Sequence, residues 1–129
     1  QVVTVSNNAS SGFIKQLGEV MRGVIVTQVF PSERAMGYAI NREAAALAKA
    51  KGDDPLSPSV MEGFASAKVL VEGLRRAGPK PTREKLVAAL AGMEYFDLGG
   101  LEVGYGPNDR TGLSFVDLSI IDASGQFMR

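Results

Sequence analysis

Val2 to Val5 is a short run rich in Val, and it breaks into a polar, small-residue stretch from Ser6 to Ser11. The run predicts a short strand buried on both faces. Phe13, Leu17, Val20 and Met21 then recur at helical spacing, with Gly23 placed to close the helix. Val24 to Phe30 is the strongest strand pattern in the chain, and Pro31 ends it. Strand, helix and strand with short joints predict a parallel unit with a right-handed crossover.

After Pro31 the alternation disappears for about seventy residues, replaced by periods near 3.6. Met36, Ile40, Ala44 and Leu47 mark an Ala-rich helix ending near Gly52, and Asp53 to Pro58 reads as a loop. Val60, Phe64, Ala67, Val71 and Leu74 mark a second helix, in which Gly63 and Ala65 would permit close approach to a neighbour. Arg75, Arg76, Gly78 and Pro79 form its stop signal. Thr82 is the expected cap of a third helix carrying Leu86, Val87 and Leu90 and closed by Gly92.

From Tyr95 the chain is glycine-rich as far as Gly112 and reads as turns. A strand then places Val116, Leu118 and Ile120 on one face, and Asp122 to Gly125 turns it back toward Gln126 to Met128 as a terminal hairpin. About three clear strands for three to four helices is too little sheet to cover every apolar helical face. The missing strands therefore belong to another part of a longer polypeptide, or the chain associates with copies of itself. Gln1 leads straight into a strand-like run, which also suggests a piece of something longer.

Composition narrows the function classes. The chain has 129 residues, enough for one domain with a real core. Fourteen basic and fourteen acidic side chains cancel, so the basic footprint of a nucleic-acid binder is missing. The sequence has no Cys and no His, which excludes the usual zinc sites, thiol nucleophiles and Ser-His pairs. A small enzyme acting through Ser, Lys and carboxylates is thereby disfavoured. No carboxylate pair has a spacing that recommends it for acid–base work. The Gly104 to Asp109 stretch begins like a dinucleotide fingerprint, but Asp109 stands where the last glycine belongs, so turn chemistry explains it and no cofactor is expected. Asn8-Ala9-Ser10 fits a glycosylation acceptor by the letter only.

Three stretches carry a resemblance: "LGEVMRGVIVTQVFPS", then "SVMEGFASAKVLVEGLRRAGPKPTREKLVAALAGMEYFDLGGLEVGYGPNDRTG", then "SFVDLSIIDASGQF". In this order they resemble the C-terminal part of a type I periplasmic solute-binding protein, of the branched-chain amino-acid binding, extracellular ligand-binding receptor family that serves ABC importers. The likeness covers essentially the whole chain. It implies an α/β fold of two lobes, each a three-layer α/β/α sandwich with a parallel sheet, a ligand cleft between them and three hinge strands. On this mapping residues 1–30 and 113–129 are second-lobe elements, and 31–112 are hinge and first-lobe helices. The implied function is non-enzymatic binding of a small polar solute, an amino acid or a related carboxylate or aromatic acid, in the bacterial periplasm. The implied partner is a membrane ABC permease, with self-association of the isolated piece. The same fold also serves as a ligand-sensing domain of signalling receptors and transcriptional regulators, and that alternative stays open.

The Ser6 to Ser11 stretch follows a strand and precedes a helix, which is where open α/β sheets place ligands. A plain capping role for Asn8, Ser10 or Ser11 competes with that reading. The resemblance implies that this turn faces the cleft, which makes Ser6, Asn7 and Asn8 the candidate ligand-binding residues. Relatives often place an acidic residue here to receive an ammonium group, whereas this turn is neutral. Glu62 reads first as a stabiliser of its own helix start, ahead of ligand contact. Phe64 reads as core, and Met61 as either.

Overall fold

Val3–Val5 forms the first strand, β1, and Ile25–Gln28 the second, β2; they pair in parallel, Val3 beside Ile25 and Val5 beside Thr27. The computed structural model describes residues 1–8, 10–52 and 56–128. Between these strands a 3-10 turn, Ser6–Asn8, leads into α1, Ser11–Leu17, which a second 3-10 turn, Gly18–Met21, prolongs. Three helices follow, α2 (Ala39–Lys51), α3 (Pro58–Ala77) and α4 (Arg83–Ala91). Five short strands complete the order: β3 (Phe96–Asp97), β4 (Glu102–Gly104), β5 (Gly112–Leu113), β6 (Asp117–Ile121) and β7 (Phe127–Met128). The loop expected at Asp53 to Pro58 lies partly outside the described residues, at 53–55, and α3 begins at Pro58.

One sheet has the order β1-β2-β6-β7, and only its β1–β2 pair is parallel. The sheet is therefore mixed, because β6 runs antiparallel to β2 and the expected hairpin returns β7 antiparallel to β6. Its turn is held by Asp122, whose Oδ1 accepts from the backbone N of Ser124 at 2.7 Å, the Ser124 hydroxyl at 2.7 Å and the backbone N of Gln126 at 2.9 Å. The register sets Val26 beside Ser119 and Ile25 beside Ile120, so the two faces differ in composition. Val26 and Ile121 are buried against Ile14 and Met21 of the helical segment, and Ser119 is buried on the same face of the sheet. Of the expected stripe, Met21 is buried, whereas Phe13, Leu17 and Val20 are exposed.

The opposite face carries Val3, Val5, Leu118, Ile120 and Met128, and no described element covers it. Val3 is 60% and Val5 50% exposed, which corrects the expectation of a strand buried on both sides. Leu118 and Ile120 do share a face, and it is the bare one.

The glycine-rich segment read as turns contains a second sheet, β3-β4-β5, with Phe96 beside Val103 and Val103 beside Leu113. Strands this short give almost no period to detect. They roof a separate core built from Ile40 and Ala44 of α2, Met61 and Ala65 of α3, and Leu98, Leu101 and Val103. The two sheets thus belong to two distinct apolar clusters. Phe64 packs against the second cluster, and Met61 is part of it.

Two turns lock that second cluster. Asp97 Oδ1 accepts from the backbone N of Gly100 at 2.7 Å and of Gly99 at 2.8 Å, which holds its carboxyl below the usual carboxylate range. Gly99 then gives its carbonyl to the backbone N of Ile40 at 3.1 Å, serving the N-terminus of α2, whose Tyr38 cap makes no side-chain bond. Asn41, fully buried, donates from Nδ2 to the carbonyls of Ser32 at 2.7 Å and Ala35 at 3.0 Å, and so ties the segment after β2 onto α2.

Helix α3 starts at Pro58 behind the Ser57 cap and ends where the two arginines and Gly78 predict. Its inward face is Met61, Ala65, Glu72 and Gly73, about one residue round from the predicted stripe, and Val60, Val71 and Leu74 are exposed. The close approach occurs at Gly73, where a Cβ would lie 2.8 Å from Leu90 Cδ2 of α4; at Gly63 a Cβ would meet nothing within 4 Å. Thr82 caps α4 through the Lys85 backbone N at 3.2 Å, as predicted.

Candidate functional site

Strand β1 runs toward its carboxyl end at Val5, and the chain then tightens into the Ser6–Asn8 turn. Ser10 caps α1, accepting from the Phe13 backbone N at 3.2 Å, so the turn is held between a strand and a capped helix start. Capping by Ser10 leaves the three preceding polar residues without that duty. Ala9 lies outside the described residues, so the Asn8-Ala9-Ser10 triplet has no full structural description.

The turn divides its side chains. Ser6 is buried at 7% exposure, and its hydroxyl donates to Glu62 Oε1 at 3.2 Å. Glu62 sits on α3, 56 residues away in sequence, so this bond joins the first sheet's turn to the helix of the second cluster. Glu62 lies beyond the first turn of α3, and a role confined to its own helix start does not describe it. No signal in the sequence pairs Ser6 with Glu62, since the contact depends on how the two clusters meet.

Asn7 and Asn8 are exposed. With Val2, Thr4, Phe13 and Leu17 they line a mostly apolar groove of about 550 Å³ along the outer side of β1. Glu62 lines a different cavity of about 520 Å³, with Phe30, Leu98, Val103, Tyr105 and Leu113 among its walls. The structure therefore does not bring Ser6, Asn7 and Asn8 around one space.

A further groove of about 460 Å³ runs between α1, the β6–β7 turn and residues 33–34 and 56–58, with Lys15, Glu19, Glu33 and Arg34 on its walls. Arg34 donates to Gln126 Oε1 across it, a second side-chain link between the two halves. Within the first sheet, Gln28 is buried and donates from Nε2 to Ser119 Oγ at 2.8 Å, and Ser119 in turn donates to the Val26 carbonyl at 3.3 Å. This satisfied pair fixes β2 against β6 just before the chain leaves the sheet at Val29. Sequence reading missed it, because a Gln and a Ser in strands carry no pattern of their own.

Among the described residues, no three His, Cys, Asp or Glu side chains gather as a metal cage requires. No described helix is long and apolar enough to cross a membrane.

A turn at the carboxyl end of a parallel strand is where open α/β sheets place their ligands. The sequence model of the periplasmic binding protein family matches residues 1–124, and the chain belongs to that family. It superposes on a possible leucine/isoleucine/valine-binding protein from Rhodopirellula baltica SH 1 with TM-score 0.86 and 28% identity, covering 100% of this chain and 36% of that one. A substrate-binding periplasmic protein from Ralstonia solanacearum matches with TM-score 0.79 and 31% identity, over 99% of this chain and 37% of that one. A branched chain amino acid ABC transporter protein from Thermus thermophilus, with bound valine, shares the fold at TM-score 0.79 and 18% identity, over 98% and 37%. No curated protein matches the chain. The chain has the α/β fold of type I periplasmic binding proteins and spans little more than a third of the length of these relatives.

Proposed function

We propose that this chain is the C-terminal part of a periplasmic solute-binding protein, which binds a small polar solute without chemical change and delivers it to a membrane ABC permease. The solute class is an amino acid or a related carboxylate or aromatic acid. Residues 1–30 and 113–129 contribute to one lobe, and residues 31–112 supply the hinge and the helices of the other. The two separate apolar clusters support this division except at its edge, where Leu113 pairs with Val103 and packs with Phe115 against the second cluster.

The observation that carries the reading is the Ser6–Glu62 bond, because it spans the joint that a solute must bridge for closure to be ligand-driven. Ser6, Asn7 and Asn8 form the ligand-binding turn of the first-named lobe. Asn7 and Asn8, exposed beside the buried Ser6, are free to present amide groups once the remainder of the polypeptide lies beside β1.

The test is a thermal-shift and calorimetric screen of the full-length polypeptide against amino acids, aliphatic acids and aromatic acids. Saturable one-to-one binding is expected, weakened by Asn7→Ala or Asn8→Ala. Absence of binding across the panel, or binding untouched by either substitution, refutes the assignment. Separately, the isolated 129-residue chain self-associates through its bare sheet face, and light scattering that finds only monomer refutes that expectation.

A further inference from the structure

The Ser6–Asn8 turn packs against α3 across the joint between the two apolar clusters. There the Ser6 hydroxyl, on a residue 7% exposed, donates to Glu62 Oε1 at 3.2 Å. Helix α1 takes its cap from Ser10, so Ser6 has no capping duty. Glu62 has no cation on its own helix: the positions three and four away are Pro58, Ser59, Ala65 and Ser66, and among the described residues no Lys or Arg pairs with it. Both groups are thus committed to a partner on the far side of the joint, and any motion that parts the clusters breaks their bond. A further link, from Arg34 to Gln126, joins two exposed side chains, where water replaces a lost bond with little change in energy.

We infer that the Ser6–Glu62 bond is a latch, which biases the two-lobed molecule toward its closed form through the protein's own groups, before any solute adds contacts. The inference rests on the solute-binding reading above and adds a resting bias to it. Opening hands both groups to water, so the latch is worth the difference between the bond and its hydrated alternatives. A carboxylate acceptor strengthens a hydrogen bond, but 3.2 Å is longer than the usual O–H···O distance of about 2.7–2.8 Å, which places the effect at about fivefold to tenfold in the closed-to-open ratio. While the closed form is the minor one, apparent affinity scales with its population, so the latch strengthens binding of every solute by the same factor. A side chain that touched the solute would instead change selectivity.

The experiment uses the full-length polypeptide with dyes on Arg22→Cys and Arg83→Cys, both exposed and one in each cluster's half, and reads the closed-to-open ratio by single-molecule energy transfer. Without added solute, the wild type shows a closed population with the transfer efficiency of the solute-saturated protein. Ser6→Ala and Glu62→Met each lower the ratio by about fivefold to tenfold, and the double variant falls no further than the lower single one, within about twofold. By calorimetry, Glu62→Met weakens every solute of the panel that binds by that same factor. A ratio unmoved by both single variants, or losses that multiply in the double variant, overturns the latch and leaves the solute-binding assignment standing. An affinity loss confined to one class of solute makes Glu62 a solute contact and overturns it too. A wild type that is wholly open without solute overturns the latch without requiring any variant to fold. Failure to bind any solute of the panel removes the function itself, and the latch with it.

Discussion

Gly99→Ala is the sharpest test of how the second cluster is assembled. Gly99 has φ +110°, a conformation that an L side chain adopts only with strain of about 1–3 kcal/mol. The added Cβ would also lie 2.6 Å from the backbone N of Ile40, and backbone cannot swing aside as a side chain tip can. Relief means moving the Asp97–Gly100 turn off the start of α2, which breaks the 3.1 Å bond from Ile40 N to the Gly99 carbonyl. Ile40 is fully buried, so its N–H would be left without water, a further cost of about 1–3 kcal/mol. The two effects together give a destabilisation of about 4 kcal/mol. Urea unfolding of the full-length polypeptide, followed by circular dichroism, should show a lower midpoint with little change in slope. Gly106→Ala, where a Cβ would meet nothing within 4 Å, is the control and should stay within about 0.5 kcal/mol of wild type. A Gly99→Ala protein as stable as the control would refute the close approach of this turn to α2.

Gly73→Ala and Gly63→Ala, both inside α3, should separate in sign by the same assay. The first drives a Cβ against Leu86 and Leu90 and costs about 1–3 kcal/mol, whereas the second meets open space and gains up to about 1 kcal/mol of helix propensity. Glu72 accepts from Arg75 Nε and Nη2 at 2.8 Å and from Arg76 Nε at 2.7 Å, and these hydrogen bonds, Arg75 first, lower its pKa from 4.5 to about 2. A depressed carboxylate contributes stability above its unfolded pKa and loses it as pH falls through the folded one, so melting temperatures should drop between pH 4.5 and about 2. Glu72→Gln should flatten that part of the profile, and an unchanged slope would show the pair to be inert. Asn41→Ala removes the two bonds that hold Ser32 and Ala35 and should cost about 2–4 kcal/mol by urea unfolding, with protease sensitivity rising first between Pro31 and Tyr38.

The helices were legible because their ends carry strong local chemistry: Ser57 with Pro58, the two arginines before Gly78, and Thr82 are stop and start signals that need no tertiary context. Which face each helix buries was less legible. On α3 Val60, Val71 and Leu74 of the expected stripe stay exposed, while Met61, Ala65, Gly73 and an ion-paired Glu72 are buried. Small residues permit close contact, and two arginines make a carboxylate tolerable, so burial did not follow hydrophobicity. The same holds for β1, whose Val residues match a strand covered on both sides although the chain spans just over a third of its relatives' fold. The β3-β4-β5 sheet was missed because each strand is two or three residues long between glycines. At the site, the position of the Ser6 turn followed from strand–helix order alone. Its partner did not, because Glu62 arrives from another cluster and its helical spacing says nothing about what it faces.

The most direct measurement is a crystal structure of the full-length polypeptide with a bound solute drawn from the screen. The account predicts solute density between the two lobes, within hydrogen-bonding distance of the turn that carries Asn7 and Asn8. Density that lies elsewhere, with Asn7 and Asn8 facing water, would contradict it.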